Sequence, residues 1–261
     1  MDETRFAFWK TIAFLASLAL IVAAERFFVW KRFAGPGSGR LRNVWLAATD
    51  ALVMGVVCAG CSCAASRFAT GSGFGLFNRI EAPPWLAVLV TVVSFDALAW
   101  AWHRANHRVP TLWRFHRVHH SDPAFDATTS FRFHPVELLL SVPVRLLLVL
   151  ALGVPVAGIL VFEVAFGFCN LFVHANLRLP ERLESALAVV FVHPAMHRLH
   201  HSRVIAESSR NFGTIFSVWD RLARTMLRSD SGRAVDVGLD NVDGGRVAGL
   251  LAQLRLPFRQ D

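Results

Sequence analysis

Cysteine is scarce and poorly spaced for crosslinking: the 261-residue chain has four, and three crowd into Cys58-Ala59-Gly60-Cys61-Ser62-Cys63. No disulfide framework follows from that spacing. The cluster lies inside a long apolar run, so small buried packing residues are favoured there over a thiolate metal site. Carboxylates are also short, 19 Asp and Glu against 27 Lys and Arg, which leaves a net charge of +8. Such a balance suggests nucleic acid as a partner, but the basic residues sit in loops between apolar runs, where the positive-inside rule explains them. Glu-x-x-His is missing altogether, which argues against the carboxylate-rich metal bundles.

Charge is absent from several runs about 20 residues long, the length that crosses a hydrocarbon core. Hydrophobic residues make up 54% of the chain, and mean hydropathy is +0.44, more than an ordinary soluble domain carries. The first run is Thr11 to Ala24, extended by Phe6 to Trp9 and Phe27 to Trp30. Apolar character continues beyond Ala23-Ala24, so the run reads as a span and not a secretory signal. A second covers Val44 to Ser66 with only Asp50 charged, and a third Pro84 to Trp102 with only Asp96. Val136 to Val173 is too long for one span and breaks at Gly153-Val154-Pro155, predicting a helical hairpin with Arg145 and Glu163 as partners inside the bundle. The fold class is therefore all-α: an integral membrane protein with about three transmembrane helices, a membrane hairpin and a cytoplasmic helical region. Lys31, Arg32, Arg40 and Arg42 put the first loop in the cytoplasm, and Arg104, Arg108, Arg114 and Arg117 put the end of span three on the same side.

Histidine is missing from the first hundred residues and the last sixty; all eleven lie between His103 and His201. They group as HRANH (His103, His107), HRVHH (His116, His119, His120), single His134 and His174, His193, and HRLHH (His197, His200, His201). Spacings of three and four place side chains on one helix face, so each cluster can aim its imidazoles at one point. Imidazole suits iron, zinc, copper or nickel. One ion takes about four to six ligands, so the nine imidazoles of the three clusters and His174 fit two ions with an open position. His193 is read as an ordinary buried or surface residue. His134, in Arg132-Phe133-His134-Pro135-Val136-Glu137, is read as a group orienting a ligand or substrate. The clusters follow the cytoplasmic end of span three and the end of the hairpin, a position at the membrane surface that selects a lipid-like substrate. Phe131, Phe133, Phe166, Phe168 and Phe172 are candidates to line an apolar channel, with membrane core the favoured reading.

With these residues the chain resembles the fatty acid hydroxylase / sterol desaturase superfamily of integral-membrane di-iron oxygenases, in its bacterial form. The likeness runs from His103 to about Phe258 through HRANH, HRVHH, RFHPVE, the hairpin, FVHAN, MHRLHHS, Asn211-Phe212-Gly213 and Trp219-Asp220-Arg221. It implies that His103, His107, His116, His119, His120, His174, His197, His200 and His201 ligate two iron ions, with Asn170 a weak ligand or a neighbour that orients one. It implies O2 as co-substrate and hydroxylation of an unactivated C–H bond of a fatty acyl, sterol, carotenoid or ether lipid, or desaturation as the same-class alternative. No fused haem, flavin or iron–sulfur motif is visible, so a ferredoxin- or cytochrome b5-type donor is the implied partner. The domain reading is two N-terminal spans over 1–83, a catalytic region over 84–228 and a cytoplasmic tail over 229–261, in a bacterial inner membrane. A histidine-rich metal-binding or transport protein is the other-class alternative. Transport would place ligands across the spans, yet only Asp50, Asp96, Arg145 and Glu163 lie there.

Overall fold

The computed structural model describes residues 3–33, 38–58, 60–80, 82–240, 242 and 249–259. Ala59 of the cysteine cluster, Glu81, residues 34–37 of the first basic loop, and 241, 243–248 and 260–261 of the tail lie outside the described residues. The chain is all-α: helices α1 (Glu3–Phe27), α2 (Ser38–Cys58), α3 (Cys61–Ser72), α4 (Leu76–Arg79), α5 (Pro84–Arg108), α6 (Pro110–His120), α7 (Pro135–Leu152), α8 (Val156–His174), α9 (Glu181–Leu187) and α10 (Pro194–His200). Short helices at Val218–Leu222 and Leu250–Arg255 follow. Among the described residues there are isolated β-bridges, such as Phe191 with Phe216, but no strand.

Five helical stretches are long and apolar enough to cross a membrane: Ala7–Phe27, Gly39–Arg79, Pro84–Arg108, Pro135–Leu152 and Val156–His174. The expected single span at Val44 to Ser66 is corrected. Helix α2 ends at Cys58, and Gly60 adopts the left-handed region, φ 73°, before α3 starts afresh. Glycine bears that conformation without a Cβ clash. The 21 residues of α2 give about 31 Å, enough to cross alone, whereas the 12 of α3 give only about 18 Å. The cysteines therefore straddle a helix break; all are free thiols, and Cys63 is buried.

The helices alternate in direction, which gathers one end of each span at the histidines. The last turn of α1 is tied there by Glu25, whose Oε1 accepts the backbone N–H of Ala127 and of Asn176 at 2.8 Å each. The first turns of α2 are tied by Asn43, which donates to Asp122 at 2.8 Å and accepts from the fully buried Arg132 at 3.0 Å. At the opposite end the hairpin turns at Gly153, φ 65°. A Cβ on the facing Gly75 would lie 2.3 Å from the Gly153 nitrogen, so both positions require glycine.

Helix α8 packs against α5 on one side and α1 on the other. In a bilayer such contacts depend on close packing, since lipid tails are as apolar as leucine. Gly158 of α8 accordingly faces Thr91 of α5, where a Cβ would sit only 2.9 Å from the threonine Oγ1. Below it Phe95 and Phe162 pack with ring centroids 5.2 Å apart. The helices that carry the histidine clusters, or open beside them, start on proline: Pro84, Pro110, Pro135 and Pro194. Proline's fixed φ suits the first turn, where its missing N–H costs nothing.

Candidate metal centre

Two sets of imidazoles meet where the spans end. The ligand atoms of His103, His107, His116, His120 and His200 form one group; those of His119, His174, His197 and His201 form the other, and within each group they lie within 4.8 Å of one another. The eight histidines singled out by spacing, and the single His174, are thus brought together, but one expectation is corrected. A cluster does not aim at one point: HRVHH and HRLHH each divide between the two groups. On a helix i+3 lies about 60° to one side of i and i+4 about 40° to the other, and that angle is wide enough to serve neighbouring centres. The groups touch, with His120 and His201 stacked at a centroid distance of 4.4 Å.

Which nitrogen faces inward is set by what the other one bonds. Nδ1 of His103 donates to the Phe212 carbonyl at 2.8 Å, that of His174 to Asn170 at 2.7 Å and that of His200 to Arg210 at 2.8 Å. Nδ1 of His116 donates to the Glu137 carboxylate at 2.8 Å. A proton fixed on Nδ1 leaves the Nε2 lone pair for a ligand bond. In the first group all five Nε2 atoms are buried with no hydrogen-bond partner. In the second, Nε2 of His174 lies 3.1 Å from that of His119 and 3.0 Å from that of His197. With metal–nitrogen bonds of about 2.1 Å, neighbouring ligands on one ion stand about 3.0 to 3.4 Å apart. Buried nitrogens normally find partners, so this array of orphaned acceptors fits metal ions. Burial also holds the imidazoles neutral: it pushes His119, His120, His197 and His201 well below the usual histidine range and His200 down to about 3, with neighbouring histidines adding to the shift. Neutral imidazole is the form that binds metal.

Carboxylates that the spacing argument passed over hold the frame. Glu137 accepts from both His116 and Asn106 at its Oε1; it stood in the quoted RFHPVE stretch without a role. Asp220, in Trp219-Asp220-Arg221, accepts the N–H groups of Phe212 (3.0 Å) and Gly213 (2.7 Å), the Trp100 indole (3.1 Å) and the Thr225 hydroxyl (2.6 Å). Asp96, a charge at membrane depth, accepts from Ile215, Phe216 and the Trp219 indole at 3.2, 3.1 and 2.8 Å. Together they fix the 211–219 loop whose carbonyl orients His103. An ionisable residue inside a span was the available signal for Asp96.

His134 does not join either group. Its Nδ1 caps α7 by accepting from Val136 at 3.1 Å, and its Nε2 lies 3.2 Å from the Leu254 carbonyl. It acts one step removed, by starting the helix that carries Glu137. Asn170 offers its carbonyl to His174, and its amide lies 3.3 Å from the Ser130 carbonyl. His193 stands apart, 4.0 Å from Glu184.

From the histidines a cavity of about 260 Å³ extends among α5, α7 and α8. Its walls are chiefly apolar, with Leu98, Phe95 and Phe162 beyond His103, His116 and His174. Phe133 and Phe166 line it, and Phe168 lines an adjoining cavity. Phe131 and Phe172 pack instead beside Leu171 and Ala127 or Val173, as membrane core.

The fatty acid hydroxylase family model matches residues 88–225, just over half of the chain and all the clustered histidines. The chain belongs to the fatty acid hydroxylase family. Membership makes it an oxidoreductase. Among similar proteins, ornithine lipid hydroxylase of Rhizobium tropici is 26% identical over 257 residues, which cover 96% of this chain and 76% of that one. Cholesterol 25-hydroxylase of Rattus norvegicus is 29% identical over 60% of this chain and 53% of its own length. Alkylglycerol monooxygenase of Caenorhabditis elegans is 25% identical over 54% and 27%. No solved structure matches the chain. These relatives are named for lipids, which agrees with a membrane protein whose histidines sit at the mouth of an apolar cavity.

Proposed function

We propose that the protein is a membrane di-iron lipid hydroxylase in which His103, His107, His116, His120 and His200 hold one iron and His119, His174, His197 and His201 the other. The observation that carries this reading is the pair of buried imidazole groups, their lone pairs unspent, at one end of an apolar cavity. Iron, when bound, supplies O2 activation and the redox chemistry that side chains lack. The chain's own residues do the rest. Phe95, Phe162 and Leu98 take up a hydrocarbon chain and exclude water. Glu137 and the carbonyls of Phe212, Asn170 and Arg210 hold the imidazoles in one tautomer and orientation. Overall, a C–H bond, O2, two electrons and two protons give an alcohol and water. The electrons come from an external ferredoxin- or cytochrome b5-type donor.

The same reading puts the histidines on the cytoplasmic face of a bacterial inner membrane, with spans over 1–83, the catalytic region over 84–228 and the tail over 229–261. The relatives' substrates, an ornithine lipid, a sterol and an alkylglycerol, share only a long apolar body. A desaturase built on the same centre is the second reading, and product mass separates the two. The test is metal analysis of the purified protein with mass spectrometry of lipids from cells making it or the His200→Ala variant. Two irons per chain and an oxygen-dependent gain of one oxygen atom are expected; a protein free of iron, or unchanged lipids, would sink the proposal.

A further inference from the structure

The loop from Asn211 to Ser217 is tied along its length. The backbone N–H groups of Phe212 and Gly213 bond to Asp220, and those of Ile215 and Phe216 to Asp96. Those of Asn211 and Ser217 bond to the carbonyls of Thr225, at 3.1 Å, and Val190, at 2.9 Å. Thr214 stands at the centre of these ties, two residues beyond the Phe212 carbonyl that holds His103. It is the one residue of the loop that lines the cavity, and it borders the same space as His103, His119, His174 and His197. A firmly held loop thus presents a threonine at the histidine end.

The hydroxyl sets Thr214 apart from the other uncharged polar residues of that wall. Ser141, Asn106 and Asn170 also line the cavity, and each donates to a protein oxygen: the Leu138 carbonyl, Glu137 and the Ser130 carbonyl. Thr214 is only 9% exposed, yet its hydroxyl has no hydrogen-bond partner among the described residues. A hydroxyl in an apolar space without a partner costs free energy, so its partner is something that enters the cavity. Around the same space, Nε2 of His103 and of His116, the second oxygen of Glu137 and the Asn106 carbonyl are acceptors without partners. Thr214 sets a proton donor among them.

We infer that the Thr214 hydroxyl is a catalytic hydrogen-bond donor to O2 as negative charge builds on it during reduction in the cavity. The inference rests on the proposed lipid hydroxylation and adds to it a residue that decides where the oxygen atoms go. O2 itself is neutral and apolar and needs no donor. Once it takes up electrons it becomes basic, and a donor held in place beforehand stabilises that charge without reorganisation. In the coupled reaction a C–H bond, O2, two electrons and two protons give an alcohol and water. Without the donor, the same O2, electrons and protons leave as hydrogen peroxide, and the C–H bond stays intact. The ties to Asp96 and Asp220 then hold this donor as well as the carbonyl that orients His103.

The test uses the purified, iron-loaded protein. First, azide is titrated onto the oxidised protein, without turnover, as an anion standing in for reduced oxygen. Thr214→Val keeps the shape of the side chain and loses the hydroxyl, so it should weaken azide at least about tenfold, the effect of one hydrogen bond to a charged group. Thr214→Ser should restore most of that affinity. Second, hydrogen peroxide released per O2 consumed should rise in Thr214→Val as alcohol falls, while electrons are still consumed. The unfolding midpoint should not fall, because the hydroxyl has no protein partner to lose. If Thr214→Val folds poorly, Thr214→Ala against Thr214→Ser makes the same comparison. Native azide affinity or native coupling in Thr214→Val would overturn the inference. A protein without iron would remove the hydroxylase reading and this one together; an iron protein that oxidises lipid with native coupling in Thr214→Val would remove this one alone.

Discussion

HRVHH and HRLHH are the same five-residue idea used twice, and the two copies exchange partners. In the first, the outer pair His116 and His120 belongs to the five-histidine group and His119 to the four. In the second, the outer pair His197 and His201 belongs to the four and His200 to the five. Each helix thus gives an i, i+4 pair to one centre and the intervening i+3 residue to the other. The central arginines both turn away: Arg117 donates to the carbonyls of Leu256 and Arg259, and Arg198 to the Leu177 carbonyl and the Ser231 hydroxyl. The copies differ in what braces them. A charged carboxylate, Glu137, holds His116, whereas a neutral carbonyl of Arg210 holds His200. Repetition sets the two imidazole groups, and the surroundings make them unequal.

The exchange is broken most severely by removing one outer pair at a time. His116→Ala with His120→Ala should empty the five-histidine centre and leave the four-histidine one intact. His197→Ala with His201→Ala should do the reverse. Each double variant is expected to hold one iron instead of two and to lose hydroxylation entirely. Metal analysis checks this, and loss of both irons in each case would show that the groups are not separate centres. A finer cut is Glu137→Gln, which removes the charge behind His116 alone. Losing such a partner lowers metal affinity by about 10- to 100-fold. Chelator titration should then show one weakened site and one unchanged, a split that general misfolding would not give.

The candidate ligands were legible because helix spacing is a local property: the eight imidazoles selected by threes and fours meet, and His174 at the end of the hairpin meets them. The hairpin was equally plain, since Gly153 and Pro155 interrupt an apolar run too long for one span. What sequence could not show was division of labour within a cluster, because which group His119 joins, and which His116 and His120 join, depends on where α8 and α10 arrive. Asp96 and Asp220 were missed as braces for a related reason. Their partners are backbone N–H groups more than a hundred residues away for Asp96, and in an irregular loop for Asp220. The break at Gly60 was hidden because apolar character continues straight through it.

The arginines sharpen the comparison through stability. Arg198 is fully buried, and its guanidinium lies 4.2 Å from the Trp30 ring centroid. Arg198→Met strips partners from Leu177 and Ser231 and loses the cation–π contact, so a loss of about 3 kcal/mol is expected. Arg117→Met should cost less, near 1 to 2 kcal/mol, because one of its two acceptors is the carbonyl of Arg259, an exposed residue where the released group can reach water. Unfolding midpoints of the two variants in detergent check the order; a larger loss for Arg117→Met would reverse the assignment of α10 as the more tightly embedded copy.

The smallest effect concerns His193, the histidine beside the second copy with no counterpart beside the first. It sits 1% exposed near Arg198, and burial, helped by that arginine, pushes it down to about 4. Unfolded, it titrates near 6.5. Above that value both states are neutral and His193 adds no pH dependence. As pH falls from about 6.5 toward 4, the unfolded chain takes up a proton that the folded one refuses, so stability is lost over that window. His193→Gln lacks this linkage but keeps the metal ligands. The native protein's stability relative to His193→Gln should therefore be constant from pH 7 to 8 and decline by at most about 2 kcal/mol at pH 5. A difference that does not change between pH 7.5 and 5.0 would mean that His193 can reach water in the folded state. The second copy would then be less sealed on its outer side than the first.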